Sequence, residues 1–153
     1  MQRDTIKARP YRIGDGAMIP VAEADPFGFW LREIEAEAKG LTSYEIDGAL
    51  VAVTGYQLLW AGVAFAFALV NRQLVAGDGR QLADAVKQRI AELMEIDNLH
   101  RVQATCDPED RASAVFLRAT GHRLESCMRR ASHDGKDLHL YAIIRSDEHD
   151  QES

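Results

Sequence analysis

Val63-Ala64-Phe65-Ala66-Phe67-Ala68-Leu69-Val70, followed after a short loop by Gly77-Asp78-Gly79-Arg80, is the stretch on which the fold turns. Large and small side chains alternate through its first part. Val63, Phe65, Phe67 and Leu69 share one face and Ala64, Ala66 and Ala68 the other, the two-residue period of a buried strand. The alanine row admits close approach by another element, either a packed helix or a ligand arm. A helix is predicted from about Gly79 to Leu99, with Leu82, Val86, Ile90 and Leu93 in a single stripe. His100 to Cys106 then alternates again as a strand. Strand, helix and strand in this order predict a right-handed crossover between parallel strands. The helix N-terminus then falls at the strand ends, where anionic ligands collect in α/β folds. The two strands are expected to diverge at their C-terminal ends, with Gly77 to Arg80 lining one side of the opening and Asp107 to Ser113 the other.

Upstream, Thr5 to Tyr11 reads as a strand. Asp25-Pro26 starts a predicted helix carrying Phe27, Trp30, Leu31, Ile34 and Ala38 at helical spacing, with Gly40 at its C-terminal end. Leu41 to Ile46 and Ala49 to Leu58 form a hairpin about Asp47-Gly48, and Trp60-Ala61-Gly62 turns the chain into the alanine-lined strand. Downstream, Asp107-Pro108 is expected to open a helix to Thr120, closed by Gly121. Strands at His122 to Ala131 and Leu138 to Arg145 follow, joined through Asp134-Gly135. The residues 146–153 are polar and acidic and are expected to be a disordered tail after a single domain over residues 1–145. The element order is β, helix, β-β-β, helix, β, helix, β-β: a mixed, mostly antiparallel sheet of about seven strands flanked by helices, splayed between the fourth and fifth.

The net charge of −6 argues against nucleic acid as a partner and suits a cationic substrate. The two cysteines, Cys106 and Cys127, form no CxxC pair and no metal-ligand spacing, so free thiols and no metal are expected. The apolar run from Leu58 to Val70 is too short to span a bilayer, and the N-terminus lacks an apolar signal region. A cytoplasmic protein without membrane partners is expected, and Phe27, Phe29 and Trp30 could support a homodimer.

The element order and these motifs resemble the GNAT superfamily, the Gcn5-related N-acetyltransferases. Gly77 and Gly79 match the small positions of that family's acetyl-CoA loop, Gln/Arg-x-x-Gly-x-Gly/Ala. Backbone N–H groups at a helix N-terminus there bind a pyrophosphate unobstructed by Cβ atoms. The resemblance implies a cofactor site from Leu69, Val70, Arg72, Gly77, Asp78, Gly79, Arg80 and Asp110, the last in the position of a family asparagine. Leu74 departs from the family's Gln or Arg. Asp78 either caps the helix or stands beside the pyrophosphate, with Arg72 and Arg80 available to offset its charge. Phe116 and Gly121 keep the family register, with Ser113 and His122 in the places of Ala and Phe. Arg101 to Thr105 and the closing hairpin resemble phage- and prophage-encoded GNAT-like proteins.

Family chemistry needs a base to deprotonate an amine and a donor, usually a tyrosine, for the leaving thiolate. Leu117 stands at that tyrosine position, and Val63 to Val70 offers no carboxylate. The substitutes are Tyr141, His100 and His122 as donors and Glu33, Glu37 or Glu45 as bases, while Cys106 is expected to be a buried, inert thiol. What the resemblance implies is an acetyl-CoA-dependent N-acetyltransferase acting by direct attack on a small-molecule or protein amine. The alternative is a catalytically silent phage or prophage protein with a structural or host-interaction role, located in the virion.

Overall fold

The computed structural model describes residues 5–19, 35–75 and 77–145. Its strands are β1 (Lys7–Pro10), β2 (Lys39–Ile46), β3 (Ala49–Trp60), β4 (Val63–Val70), β5 (Arg101–Cys106), β6 (Arg123–Met128) and β7 (Leu138–Ile144). Its helices are α1 (Arg72–Val75), α2 (Gly79–Ile96) and α3 (Arg111–Ala119), with a 3-10 turn at Gly16–Met18. The strands make one seven-stranded sheet in the order β1-β2-β3-β4-β5-β7-β6, the mixed sheet expected from the sequence. Two compact units divide the chain, Met1–Gln57 with Ala66–Val86, and Leu58–Phe65 with Lys87–Ser153.

In the first unit the β2–β3 hairpin turns where Asp47-Gly48 demands it. Both residues take positive φ, 51° and 79°, the geometry of a two-residue turn between twisted strands. Tyr44 pairs with Ala52 and Thr42 with Thr54 across the hairpin, and β1 lies antiparallel on the other side of β2. Asp15 is held there on all sides. Its carboxylate accepts from Arg9 Nη1 at 2.8 Å, from the Arg12 N–H at 2.8 Å and from Ser43 Oγ at 2.8 Å. The Arg9 guanidinium, together with the other donors, keeps the Asp15 carboxyl down at about 2. Ile19, Val53 and Leu69 form the apolar core, with Tyr11, Leu41 and Leu50 packed against it.

Gly40 has a different role from the one expected. The body of the helix predicted from Asp25-Pro26, with Phe27, Phe29, Trp30 and Glu33, lies outside the described residues, and residues 35–37 are helical. Gly40 belongs to β2, with φ 62°, where the β2–β3 register slips between Lys39 and Thr42. A residue free of Cβ there forms a bulge rather than a helix cap.

In the second unit the first residues of β4 pair parallel to β5, Val63 with Arg101, Ala64 with Val102 and Phe65 with Gln103. The ladder stops at Phe65 and Gln103 although both strands run on, the splayed arrangement expected from the chain order. β7 pairs antiparallel with both β5 and β6. Ala104, Cys106, Leu117 and Tyr141 make a core cluster, with Ala114 packed against it.

Two helix ends differ from expectation. α2 stops at Ile96 because Asn98 takes φ 50° and Leu99 N–H reaches back to Met94 O at 2.8 Å, a Schellman closure. α3 begins at Arg111 rather than Pro108. Asp107 instead closes a turn, accepting from the Glu109 N–H with its side chain and the Asp110 N–H with its carbonyl. The strand expected over His122 to Ala131 is confined to β6, since the chain turns at Arg130 with φ 53°.

Candidate functional site

β4 delivers the chain to the glycine loop. Asn71, one residue past the strand, has its N–H bonded to Val51 O at 2.8 Å, and its side-chain oxygen accepts from the Leu74 N–H at 3.2 Å. That local cap produces α1, inside what the sequence suggested was an open loop. Gly77 then takes φ 87°, a conformation L side chains rarely adopt. Asp78 N–H donates to Val75 O at 2.7 Å, and its own carbonyl accepts from the Leu82 N–H at 3.0 Å, the first turn of α2. Asp78 is thus the N-cap, and the N–H groups of residues 79–81 precede the first helical hydrogen bond.

The two glycines answer to different constraints. The fold needs Gly77 for its φ. Gly79 is the first residue of α2 and is not among the glycines of positive φ, and a Cβ on it would meet nothing within 4 Å. Neither backbone strain nor packing within the protein explains glycine at the start of an 18-residue helix, where it costs stability relative to alanine. Open space at an exposed helix N-terminus is the arrangement an anion uses.

The expected cofactor residues are not equivalent. Val70, Arg72, Gly77, Asp78, Gly79 and Arg80 lie along one continuous stretch of the first unit, from the end of β4 into α2. Leu69 contributes no free side chain, since it is 3% exposed in the core beside Val53. Asp110, in the second unit, caps α3. Its Oδ1 accepts from the Ser113 N–H at 3.1 Å and its Oδ2 from Ser113 Oγ at 2.6 Å.

The candidates for catalysis are divided between the units, Glu45 in the first and His100 and Tyr141 in the second. Glu45 accepts from Arg9 Nε at 2.6 Å, a part-buried ion pair of the first unit. His100 is exposed at the start of β5, its ring lying over Gly62 and its N–H donating to Gly62 O at 2.9 Å. Tyr141 is buried opposite Ala104. Ala104 lies four residues beyond His100, about 13 Å along an extended strand. Leu117 fills the core where the family resemblance asks for tyrosine. Glu37 is exposed and Glu33 lies outside the described residues.

Cys106 is buried, and desolvation, then the carboxylates of Asp110 and Asp107, push its thiol pKa up, away from thiolate chemistry. His122 is 3% exposed, and burial pulls its pKa down to about 4. Thr120 Oγ1 donates to Leu117 O at 2.9 Å, so Nδ1 of His122 must donate to Thr120 Oγ1, also at 2.9 Å. Its Nε2 is left as a bare acceptor with no partner. A second buried polar atom without a partner is the hydroxyl of Tyr56, on β3, for which the sequence carried no signal. Among the described residues no cluster of three His, Cys, Asp or Glu could hold a metal, and no helix is long and apolar enough to cross a membrane.

No protein-family model matches this chain, and no curated protein matches it. Solved structures do. An acetyltransferase of the GNAT family from Bacillus anthracis superposes with a TM-score of 0.69 at 17% identity, over 94% of this chain and 97% of that one. The ribosomal-protein-S5-alanine acetyltransferase from Vibrio fischeri gives 0.67 at 17% identity, over 96% and 97%. RimJ from Mycobacterium smegmatis, solved with a CoA disulfide, gives 0.64 at 22% identity, over 91% and 81%. At these identities the likeness establishes the fold: the chain has the architecture of the GNAT acetyltransferases.

Proposed function

We propose that residues 1–145 act as one acetyl-CoA-dependent N-acetyltransferase domain, with a small-molecule or protein amine as acceptor. The observation that carries this reading is Gly79, a glycine the fold does not require, at an open helix N-terminus. The likeness to structures of acetyltransferases, one of them with a CoA disulfide bound, supports the same reading. Val70, Arg72 and the Gly77 to Arg80 loop would hold the cofactor's phosphates through backbone N–H groups and the two arginines. Acetyl-CoA would supply a thioester carbonyl; direct attack by a neutral amine would form the C–N bond as the C–S bond breaks, the amine's proton passing to solvent and CoA leaving as the thiol. The test is a thermal melt with and without acetyl-CoA. At about a hundred times the dissociation constant the ligand stabilises the native state by roughly 2.7 kcal/mol, a shift of several degrees for a domain of this size. No shift, with no heat in calorimetry, rejects the cofactor.

A second reading keeps the fold and drops turnover: a binding protein, whether phage-borne with a host-interaction role or not. Leu117 favours it, because an apolar side chain in the core cannot protonate a leaving thiolate. A coupled assay for free CoA across a panel of amines separates the two. Release of CoA above the hydrolysis background supports the enzyme.

A further inference from the structure

We propose that the hydroxyl of Tyr56 donates a hydrogen bond to the acyl carbonyl of the bound acyl-CoA, an inference that rests on the acetyl-CoA reading above. Tyr56 is 4% exposed and its hydroxyl has no partner. The other phenols described in this unit are satisfied. Tyr44 OH pairs with Thr54 Oγ1 at 2.9 Å, and Tyr11 OH donates to Glu35 while accepting from the Gly16 N–H. A buried hydroxyl left unpaired is costly enough that a native structure rarely keeps one without use for it.

Its position indicates the use. The Asn71 N–H bonds Val51 O at 2.8 Å, and a Cβ on Gly55 would lie 2.9 Å from the Phe67 ring. Counting along these antiparallel strands sets Tyr56 beside Ala66, on the same face. Ala66 is the first residue of β4 beyond the ladder to β5. Along that face β4 carries only methyl groups, at half-buried Ala66 and exposed Ala68, before Val70 and the turn toward the glycine loop. Ala66 to Val70 is about 13 Å of strand. A pantetheine arm anchored at Gly79 and laid along this small-residue face brings its acyl end toward Tyr56. A thioester carbonyl supplies the acceptor that the phenol lacks, and the bond polarises the carbonyl toward attack.

Tyr56→Phe removes the hydroxyl and keeps the ring. The measurements are the melting temperature of the free protein, and calorimetric titrations of acetyl-CoA and of CoA, which lacks the acyl carbonyl and shares every amide of the arm. The variant should melt at the same temperature or higher, bind CoA as the parent does, and bind acetyl-CoA about five- to tenfold more weakly. Unchanged acetyl-CoA affinity in the variant overturns the proposal while leaving the acetyl-CoA reading intact. An equal loss for CoA also overturns it, by assigning the hydroxyl to an arm amide. A drop of several degrees in the free variant overturns it too, since the hydroxyl then has a partner without ligand, such as a buried water. A parent protein that binds neither ligand overturns the cofactor reading, and this inference with it.

Discussion

Helices α2 and α3 follow strands β4 and β5 in the chain, α2 after the single turn of α1, and their N-termini are built differently. α2 opens behind Gly77-Asp78-Gly79, where a Cβ on Gly79 would meet nothing within 4 Å beyond its chain neighbours and the helix's own backbone. α3 opens behind Asp110, whose two carboxylate oxygens accept from the Ser113 N–H and hydroxyl. The second N-terminus is closed by its own cap. The first begins with an exposed glycine at residue 79, which leaves space in front of the helix for an anion from outside. Of these two ends the first is the one with space for a phosphate, and helix geometry alone does not tell them apart.

The largest expected effect tests that contrast directly. Gly79→Val should abolish acetyl-CoA binding, leaving no measurable heat of titration. Because a Cβ at 79 meets nothing within 4 Å, the melting temperature should move little, by the few tenths of a kcal/mol that separate these residues near a helix start. A valine variant that binds normally would place the ligand elsewhere and erase the distinction between the two ends.

The next effect concerns buried polar groups in the two units. Asp15 is fully satisfied and has its pKa held down to about 2. Its contribution is present above the unfolded value of 3.8 and disappears only as pH falls toward 2. His122, just past the end of α3, titrates at about 4 against an ordinary 6.5. Below pH 6.5 the unfolded chain takes up a proton that the folded chain refuses, so stability declines as pH falls from 6.5 to about 4. The slope is about 1.4 kcal/mol per unit, roughly 3 kcal/mol in all. Urea melts at pH 7 and pH 4.5 should show the loss, and His122→Phe should flatten it. A parent stability that is level across this window would mean that His122 is not buried as a neutral base.

Much of this architecture was legible in the sequence where one local signal had no competitor. Asp47-Gly48 named its own turn, and the alternation of Val63 to Val70 set both ends of β4. Legibility failed where signals competed or where the deciding contact is tertiary. Asp107-Pro108 reads as a helix start, but the helix begins behind Asp110, whose side chain reaches Ser113 while Asp107 is spent on a turn. Gly40 reads as a helix end in sequence and is a bulge in β2, since a positive φ serves either. At the candidate site the glycines were readable as a pair, but only the structure separates the one needed for φ from the one the fold does not require. Tyr56 carried no signal at all, because an unpaired hydroxyl is defined by what surrounds it.

The closed N-terminus gives a smaller and opposite prediction. Asp110→Ala should destabilise the protein by about 1 kcal/mol through loss of the α3 cap. Acetyl-CoA affinity, measured below the melting range, should not change. A marked loss of affinity would make Asp110 a ligand contact and so return it to the role its family position suggests.

The smallest effect belongs to Asp78, the residue that makes the open end less than ideal for an anion. Its carbonyl receives the first helical hydrogen bond of α2, so it occupies the cap position, where aspartate and asparagine are nearly equivalent. Asp78→Asn should therefore leave the melting temperature within about a degree. It also removes a negative charge close to a pyrophosphate at residues 79–81. At about 8 Å, with solvent nearby, that repulsion is on the order of 0.5–1 kcal/mol, so acetyl-CoA should bind roughly two- to fivefold more tightly. The charge origin can be checked by salt. Raising ionic strength from about 0.01 M toward 1 M shortens the screening length from about 30 Å to 3 Å, and the advantage of the asparagine variant should shrink with it. An advantage that survives high salt would come from altered loop geometry, and no advantage at low salt would mean that the Asp78 carboxylate faces away from the ligand.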